Sequence, residues 1–311
     1  MKASLNYQAL KNGQPVSDAL VVEVPVQLFI EEEPLTVSMC TPTHIREWSF
    51  GILFTEGIIR SADQVLSYSE EEVYHQITIR VALNNATQAI TNKRSLLSVS
   101  ACGICGKTAF EPPTLRDDRG ADDELRDDRE ADDERSSMTP SDDERSSMTP
   151  SDDERSSMTL RDDQNELRSM TLRDDREADD EQSSMTLREG IAKMMVLLRE
   201  SQTLFEETGG CHAAGVFNRE GQLIFASEDI GRHNAVDKVI GHLLLNNQLR
   251  SAKYIVVSGR VSYEIVAKCF AAGIPNLAAV SSPSSLAVDY AKELGLSLFA
   301  FCRENRVTQY A

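Results

Sequence analysis

From about residue 188 onward the chain alternates strand-like and helix-like runs, and this order of elements does most to narrow its fold. The helical stretch GIAKMMVLLRESQTLF leads into AAGVFNREGQLIFA, which reads as a hairpin turning at Asn218–Gly221. Strand LIFA then passes through the polar loop SEDIGRH into helix NAVDKVIGHLLL. Strand YIVV passes through SGRVS into YEIVAKCFAAG, and strand NLAAV through SSPSS into LAVDYAKELG, before a last strand, LSLFAF, enters CRENR. Strands alternating with helices imply crossover connections, so the expected fold is α/β with a largely parallel, helix-covered sheet. Ligands of such sheets sit beyond the carboxyl ends of the strands.

That rule places SEDIGRH, SGR and SSPSS at one rim, each just before a helix N-terminus, where free N–H groups and the helix dipole favour anionic oxygens. Arg232 and Arg260 add fixed positive charge beside Ser258 and Gly259, and the last strand brings Arg303 and Arg306 toward the same edge. A phosphate-bearing or nucleotide-like ligand is the natural occupant. The plainer alternative is that the Ser, Asp and Gly residues are caps and turns. His233 is either a general acid or base or a residue that orients its loop. Asp229 and Asp237 read as structural partners of Arg232 or Lys238. His212 follows two glycines and can approach a ligand closely, while its neighbour Cys211, like Cys40 and Cys269, reads as a small buried hydrophobe.

Residues 1–114 read as an α+β region: strands in ALVVEVPVQLFI, EEPLTVSMC and VYHQITIRVAL, and a helix in TPTHIREWSFGILFTEGII. Ile45, Trp48, Ile52 and Leu53 share one face of that helix, with Thr43 as its N-cap. Between this region and the α/β region of residues 188–311 lies Leu115–Leu187, built of near-identical decamers such as SDDERSSMTP and the twice-used LRDDREADDE. The segment has no aromatic residue and no aliphatic cluster to offset chain entropy, so disorder is the expected state of this acidic insertion. It also distorts the net charge of −18: it holds 26 Asp and Glu of the chain's 50 and 11 Lys and Arg of its 32, which leaves about −3 elsewhere. Nothing at the N-terminus reads as a secretory signal, and no apolar run approaches the roughly 20 residues of a membrane helix. A cytoplasmic protein with no membrane or nucleic-acid partner is expected.

The sharpest chemical signal is Cys102-Gly103-Ile104-Cys105-Gly106-Lys107. Glycines make this backbone permissive, and the insertion begins a few residues later, so the pair would ride on an accessible loop. The thiolate is the sulfur nucleophile, and Lys107 would favour it by lowering the thiol pKa. Two rivals compete. A structural zinc site needs four ligands, but no second Cys-x-x-Cys exists, and Cys211 with His212 is a poor substitute. A zinc nucleobase deaminase would need Pro before Cys102, where Ala101 stands, and a His-x-Glu that the chain lacks. A thioredoxin-like redox pair is a weaker third reading.

CGICG at Cys102, TGGCHAAGVF at Thr208, EDIGRHNAVDKVIG at Glu228, SGRVSYEIVAKCFAAGIP at Ser258, AVSSPSSLAV at Ala279 and the FCRENRVTQY ending occur in one order, after TPTHIREWSFGILFTEGII. Together they resemble the formate dehydrogenase accessory sulfurtransferase family over everything except Leu115–Leu187. The resemblance implies a cytidine-deaminase-like, three-layer α/β core without the deaminase zinc. It implies a persulfide loaded onto Cys102 by a cysteine desulfurase, with Cys105 as its partner thiol. The sulfur would then pass to the molybdenum, or tungsten, of a bis(molybdopterin guanine dinucleotide) cofactor destined for formate dehydrogenase. Phe301, Cys302, Arg303, Glu304, Asn305 and Arg306 would contact that cofactor, and a homodimer is the expected assembly. A different class of function stays open: a chaperone that binds and delivers the cofactor without sulfur chemistry.

Deleting Leu115–Leu187 is expected to leave the thermal midpoint and far-UV spectrum of the remaining protein nearly unchanged, because the segment holds nothing that could join a core. Loss of soluble expression would point instead to an ordered role.

Overall fold

The alternating C-terminal pattern folds into a six-stranded sheet and the N-terminal runs into a four-stranded one, with a two-stranded ribbon before them. The computed structural model describes residues 1–84, 187–303 and 306–311, and all of these belong to one unit, Met1–Phe110 with Glu181–Ala311. The acidic repeats and the Cys102 loop lie outside the described residues. β1 (Ser4–Lys11) and β2 (Gln14–Val21) form the ribbon. β3 (Val24–Ile30), β4 (Glu33–Cys40), β5 (Val65–Val73) and β6 (Gln76–Leu83) form the smaller sheet in the order β4-β3-β6-β5. α1 (Ile45–Thr55) connects β4 to β5. No described helix is long and apolar enough to cross a membrane.

The larger sheet has the order β12-β11-β10-β9-β7-β8. It is built from β7 (His212–Phe217), β8 (Leu223–Asp229), β9 (Tyr254–Val257), β10 (Asn276–Ala279), β11 (Ser297–Arg303) and β12 (Arg306–Gln309). Only β10 with β9 and β10 with β11 pair as parallel neighbours, the other three pairings being antiparallel, so the expectation of a largely parallel sheet is corrected to a mixed one. The cause is local. Asn218 and Gln222 close a tight β7–β8 turn through Asn218 N–H to Gln222 O at 3.0 Å, and strands joined so closely must run antiparallel. β12 likewise returns beside β11.

Side chains alternate across this sheet with the period of two that a pleated strand imposes. Ala214, Val216, Ile255, Val257, Leu277, Ala279 and Leu298 face α4 (Arg232–Leu245), α5 (Tyr263–Ala271) and α6 (Ser285–Leu294). Ala213, Phe217, Val256, Ala278 and Phe299 face Ile191, Met194 and Leu198 of α2 (Leu187–Glu200). The result is helix, sheet, helix. A short α3 (Thr203–Thr208) follows α2 where the sequence suggested one continuous helix. The break is stabilised by Glu228, whose carboxylate accepts hydrogen bonds from Leu204 N (2.8 Å) and Phe205 N (2.7 Å) and so caps a new N-terminus.

The N-terminal sheet turns Val24, Val26, Leu28, Ile30, Ile77, Ile79 and Val81 onto Trp48 and Leu53 of α1. α1 also crosses α4 so closely that a β-carbon on Gly51 would overlap the Asp237 carbonyl, and one on Gly241 the Glu47 carbonyl. Two helices therefore meet backbone to backbone, and a second connection lies at their N-terminal ends. Lys238 Nζ, fully buried, sits 2.6 Å from Asp229 Oδ2, also fully buried. Lys238 also donates to Thr41 O (2.9 Å), Thr43 Oγ1 (3.3 Å) and Glu228 O (3.3 Å). Asp229 accepts from Thr41 N (3.0 Å), Gly231 N (2.7 Å) and Asn234 Nδ2 (3.0 Å). Asn234 Oδ1 in turn accepts from Trp48 Nε1 (3.1 Å) and Ser38 Oγ (3.0 Å). Thr43 is thus a ligand of the lysine and not the N-cap expected of it; His44, with φ 51°, occupies that position.

Both features make predictions that thermal or chemical denaturation can check. An exposed Gly→Ala change inside a helix ordinarily stabilises by about 1 kcal/mol, but Gly51→Ala and Gly241→Ala are expected to destabilise by about 1–3 kcal/mol because the added methyl has nowhere to go. Lys238→Met leaves the Asp229 carboxylate buried without its counter-charge and is expected to cost about 3–5 kcal/mol. A loss below about 1 kcal/mol would mean that water reaches the site.

Candidate anion-binding site

Because β7 is antiparallel to both β8 and β9, those two neighbours run the same way and end on the same rim. β10 and β11 end there too. The three polar loops therefore do share one edge, with a difference from the order expected: β7 is inserted between β8 and β9, and it begins at this rim with His212. The register pairs His212 with Asp229, where β8 ends. With strands about 4.8 Å apart, the rim from β8 to β11 spans about 19 Å.

His212, Arg232 and Gly259 meet directly. A β-carbon at Gly259 would lie 3.3 Å from both His212 Nδ1 and Arg232 Cβ, so only glycine lets the SGR loop approach these side chains without displacing them. Ser258 fixes that loop to β7: its Oγ accepts from Ala213 N at 2.9 Å and its own N–H donates to Ala213 O at 3.0 Å. The SGR and SSPSS loops are held to each other by Val261 N to Ser282 O (3.1 Å) and Ser284 N to Val261 O (2.9 Å). The rim is thus a bonded frame.

Two of its cationic groups, Arg232 and Arg260, by contrast, have no ion-pair partner among the described residues. Arg232 Nε is buried and has no hydrogen-bond partner, and among the described residues neither the Arg232 nor the Arg260 guanidinium makes an ion pair. His212 is half-buried and its ring makes no hydrogen bond there. Burial, then Arg232, and to a smaller degree Arg260, hold His212 below the ordinary histidine pKa against the opposing pull of Asp229. A buried, unpaired guanidinium N–H is costly to leave unmet, and these donors suit a phosphoryl group.

His233 is engaged differently. Its Nε2 lies 3.0 Å from Ser262 Oγ and 3.0 Å from Glu264 Oε2, while Ser262 Oγ donates to Glu264 Oε2 at 2.9 Å. Since the carboxylate only accepts and the hydroxyl proton points to it, Nε2 must carry the imidazole proton. Burial and Arg232 depress the His233 pKa to about 4 against the pull of Glu264, so the ring is neutral near pH 7 and ties the start of α4 to that of α5. The sequence hinted at this only through the polar Ser262 and Glu264 at the N-terminus of α5.

At the other end of the rim, Phe301 adopts φ 52°, an uncommon conformation for a bulky residue and one that costs of order 1–3 kcal/mol. A register shift between Ala300 and Arg303 accompanies it. The Arg306 guanidinium stacks over the Phe301 ring, 5.3 Å from its centre. Arg303 is exposed, whereas the Cys302 side chain turns inward against α2 and is 1% exposed. Glu304 and Asn305, like Cys102 and Cys105, lie outside the described residues. The other four cysteines, Cys40, Cys211, Cys269 and Cys302, are all buried. Burial raises the thiol pKa of Cys211 to about 12 and of Cys302 to about 11, and pushes Cys269 up as well. Among the described residues no group of three or more His, Cys, Asp and Glu is placed to hold a metal ion.

Comparison with known proteins agrees with this architecture. A crystal structure of a candidate formate dehydrogenase accessory protein from Desulfotalea psychrophila superposes with a TM-score of 0.59 at 20% identity, over 99% of this chain and 95% of that one. Proteins named sulfur carrier protein FdhD are similar along nearly the whole sequence. The one from Corynebacterium efficiens is 32% identical, covering 99% of this chain and 94% of its own. The one from Streptomyces avermitilis is 31% identical, covering 94% and 87%, and that from Saccharolobus solfataricus 31%, covering 94% and 89%. The FdhD/NarQ family model matches residues 21–131 and 127–311, and the chain belongs to that family.

Proposed function

We propose that this protein is a sulfur carrier that takes persulfide sulfur from a cysteine desulfurase and delivers it to the bis(molybdopterin guanine dinucleotide) cofactor of formate dehydrogenase. The observation that carries the ligand half of this reading is the buried, unpartnered Nε of Arg232 beside a half-buried His212, with the exposed Arg260 guanidinium close by. Phosphates of a nucleotide-bearing cofactor supply the oxygens those donors lack. At about 19 Å the rim is long enough for an extended ligand to reach from Arg232 toward Phe301 and Arg306. The cofactor is cargo here, held at its phosphate ends and not built into the fold.

The sulfur half rests on family membership and on elimination. Relatives are named sulfur carriers, and every described thiol is buried, which leaves Cys102 and Cys105 for chemistry with two successive partners. In the loading step the Cys102 thiolate attacks the outer sulfur of the desulfurase persulfide. A new S–S bond forms on Cys102, the donor's S–S bond breaks, and the donor leaves as a thiolate. Cys105 serves as the neighbouring thiol that protects or resolves the carrier.

Incubation with a desulfurase and sulfur-labelled cysteine tests this. Wild type is expected to carry label, Cys102→Ala essentially none, Cys105→Ala a reduced amount, and Cys40→Ala and Cys269→Ala the wild-type amount. Full labelling of Cys102→Ala sinks the assignment. If Cys102→Ala carries no label and still activates formate dehydrogenase, the protein is a cofactor chaperone and not a sulfur carrier.

A further inference from the structure

At the rim three nitrogen-bearing side chains converge, and among the described residues none of them has an ion-pair partner. Arg232 comes from the start of α4, Arg260 from the loop after β9 and His212 from the start of β7. Elsewhere buried charges are carefully matched: Lys238 with Asp229 at 2.6 Å, and Lys268 with Asp237 at 2.8 Å. Two of the other four imidazoles are matched, His233 with Ser262 and Glu264, and His44 Nδ1 with Ser227 Oγ at 3.0 Å. Among the described residues the His212 ring has no hydrogen-bond partner, and unlike the rings of His75 and His242 it lies beside two guanidiniums.

We infer that His212 is a proton-gated third arm of the oxyanion site: when a dianion settles between Arg232 and Arg260, His212 takes one proton from solvent and donates from its imidazolium to the ligand. The inference rests on the reading of this rim as a phosphate site and adds a residue role and a preference for dianions. The ligand class is a phosphoryl or sulfate-like dianion, whether borne by a nucleotide or free in solution.

The geometry gives the proton its sign. Among the described residues, the charged groups facing His212 are Arg232 on α4, Arg260 on the loop after β9 and Asp229 on β8. Asp229 is also bound by Lys238, Thr41, Gly231 and Asn234, and its pull on a proton at His212, though larger than the push of Arg260, is outweighed by burial and Arg232. The two guanidiniums and burial therefore prevail, and the imidazole is neutral. A bound dianion offsets both guanidiniums and supplies an acceptor, which reverses the balance and raises the imidazole's proton affinity. Gly259 keeps the approach open, since any side chain there would press on the His212 ring. A monoanion offsets only one guanidinium and recruits the proton less well. By linkage, a ligand whose binding takes up a proton binds more tightly as pH falls, up to tenfold per pH unit, between the imidazole's bound-state and free-state pKa values.

Isothermal titration of the intact protein tests this with two probes: sulfate, which stays a dianion across the range, and GDP. Running each in two buffers of different ionisation enthalpy gives the protons taken up. For wild type, sulfate affinity is expected to rise several-fold per unit from about pH 8.5 to about pH 6.5, with fractional proton uptake. His212→Gln should keep the wild-type affinity at the alkaline end, lose the pH slope and take up no proton, whereas His233→Gln should keep the slope. Wild-type binding that is independent of pH, or a slope that survives in His212→Gln, overturns the role given to His212 and leaves the phosphate site standing. If neither probe binds wild type, the phosphate reading itself fails. Sulfate binding with the expected slope, but no GDP binding, supports His212 as the gate and assigns the site to free oxyanions.

Discussion

The ion pair between Lys238 and Asp229 is the contact on which the rest of the molecule is arranged. Taking both charges out of water costs several kcal/mol per ion even after relaxation, and such a pair persists only where the remaining donors and acceptors are met. Here they are: Lys238 reaches three further oxygens and Asp229 accepts three N–H groups. These partners come from two distant stretches of chain, residues 41–43 and 228–234. The same network that satisfies the charges therefore fixes the N-terminal sheet and α1 against the larger sheet. It also sets the turn through Gly231 from which Arg232 projects. With Gly51 and Gly241 in backbone contact at the same helix crossing, neither helix can slide without breaking the buried pair or forcing carbonyls together. Such a connection does not depend on the length of sequence between the two stretches, which is why a long insertion there is compatible with the fold.

Much of the architecture could be read from periodicity because each half buries apolar side chains on a simple repeat. The three-strand parallel core and its covering helices follow from alternating runs, and the turn at Asn218–Gly221 from its residue types. What could not be read depended on tertiary partners. VYHQITIRVAL looks like one strand, yet Tyr74 (φ 46°) and His75 (φ 64°) turn it into the hairpin between β5 and β6. Histidine is among the residues enriched at positive φ but tyrosine is not, and the stretch holds no Gly, Asn or Asp to mark the turn. The break between α2 and α3 depends on Glu228, some twenty residues downstream, and periodicity cannot anticipate a cap from another strand. In the ribbon the opposite happened. Asn12-Gly13 is a strong hairpin signal, and it does turn β1 into β2 with φ 53° and 80°, although the alternating pattern around it was too polar to suggest strands.

The site was legible in outline and misleading in detail. Strand-end logic located the rim and its arginines, because it depends on topology more than on side-chain contacts. The motif EDIGRHNAVDK, in contrast, mixes two roles that sequence alone cannot separate. Arg232 and His233 face the rim and its frame, while Asp229, Asn234 and Lys238 face inward and hold the halves together. Asp229 does pair with Lys238, but Asp237 pairs with Lys268 on α5, a partner no spacing rule would suggest. A run of polar residues within a helix buried on most sides is the available clue: Asn234, Asp237 and Lys238 are all buried in α4, and buried polar groups of that density must be satisfying one another.

The contrast between these inward charges and the rim describes how the molecule divides its stability. Inside, among the described residues, the buried Lys238 and Lys268 are paired with Asp229 and Asp237, and no other buried side-chain nitrogen or oxygen than Arg232 Nε lacks a partner. At the rim Arg232 Nε is unmet, His212 is unpartnered and Phe301 is held at an unfavourable φ. On the function proposed above, an anion bound at the rim would satisfy the Arg232 and His212 nitrogens. The hydrogen-bonded turn through Gly231 fixes the start of α4, from which Arg232 projects. Binding energy at such a site therefore appears as added stability of the folded chain, growing with the logarithm of ligand concentration once the site is saturated. The Lys238–Asp229 network, far from touching any ligand, fixes the turn that positions Arg232 beside Gly259 and His212.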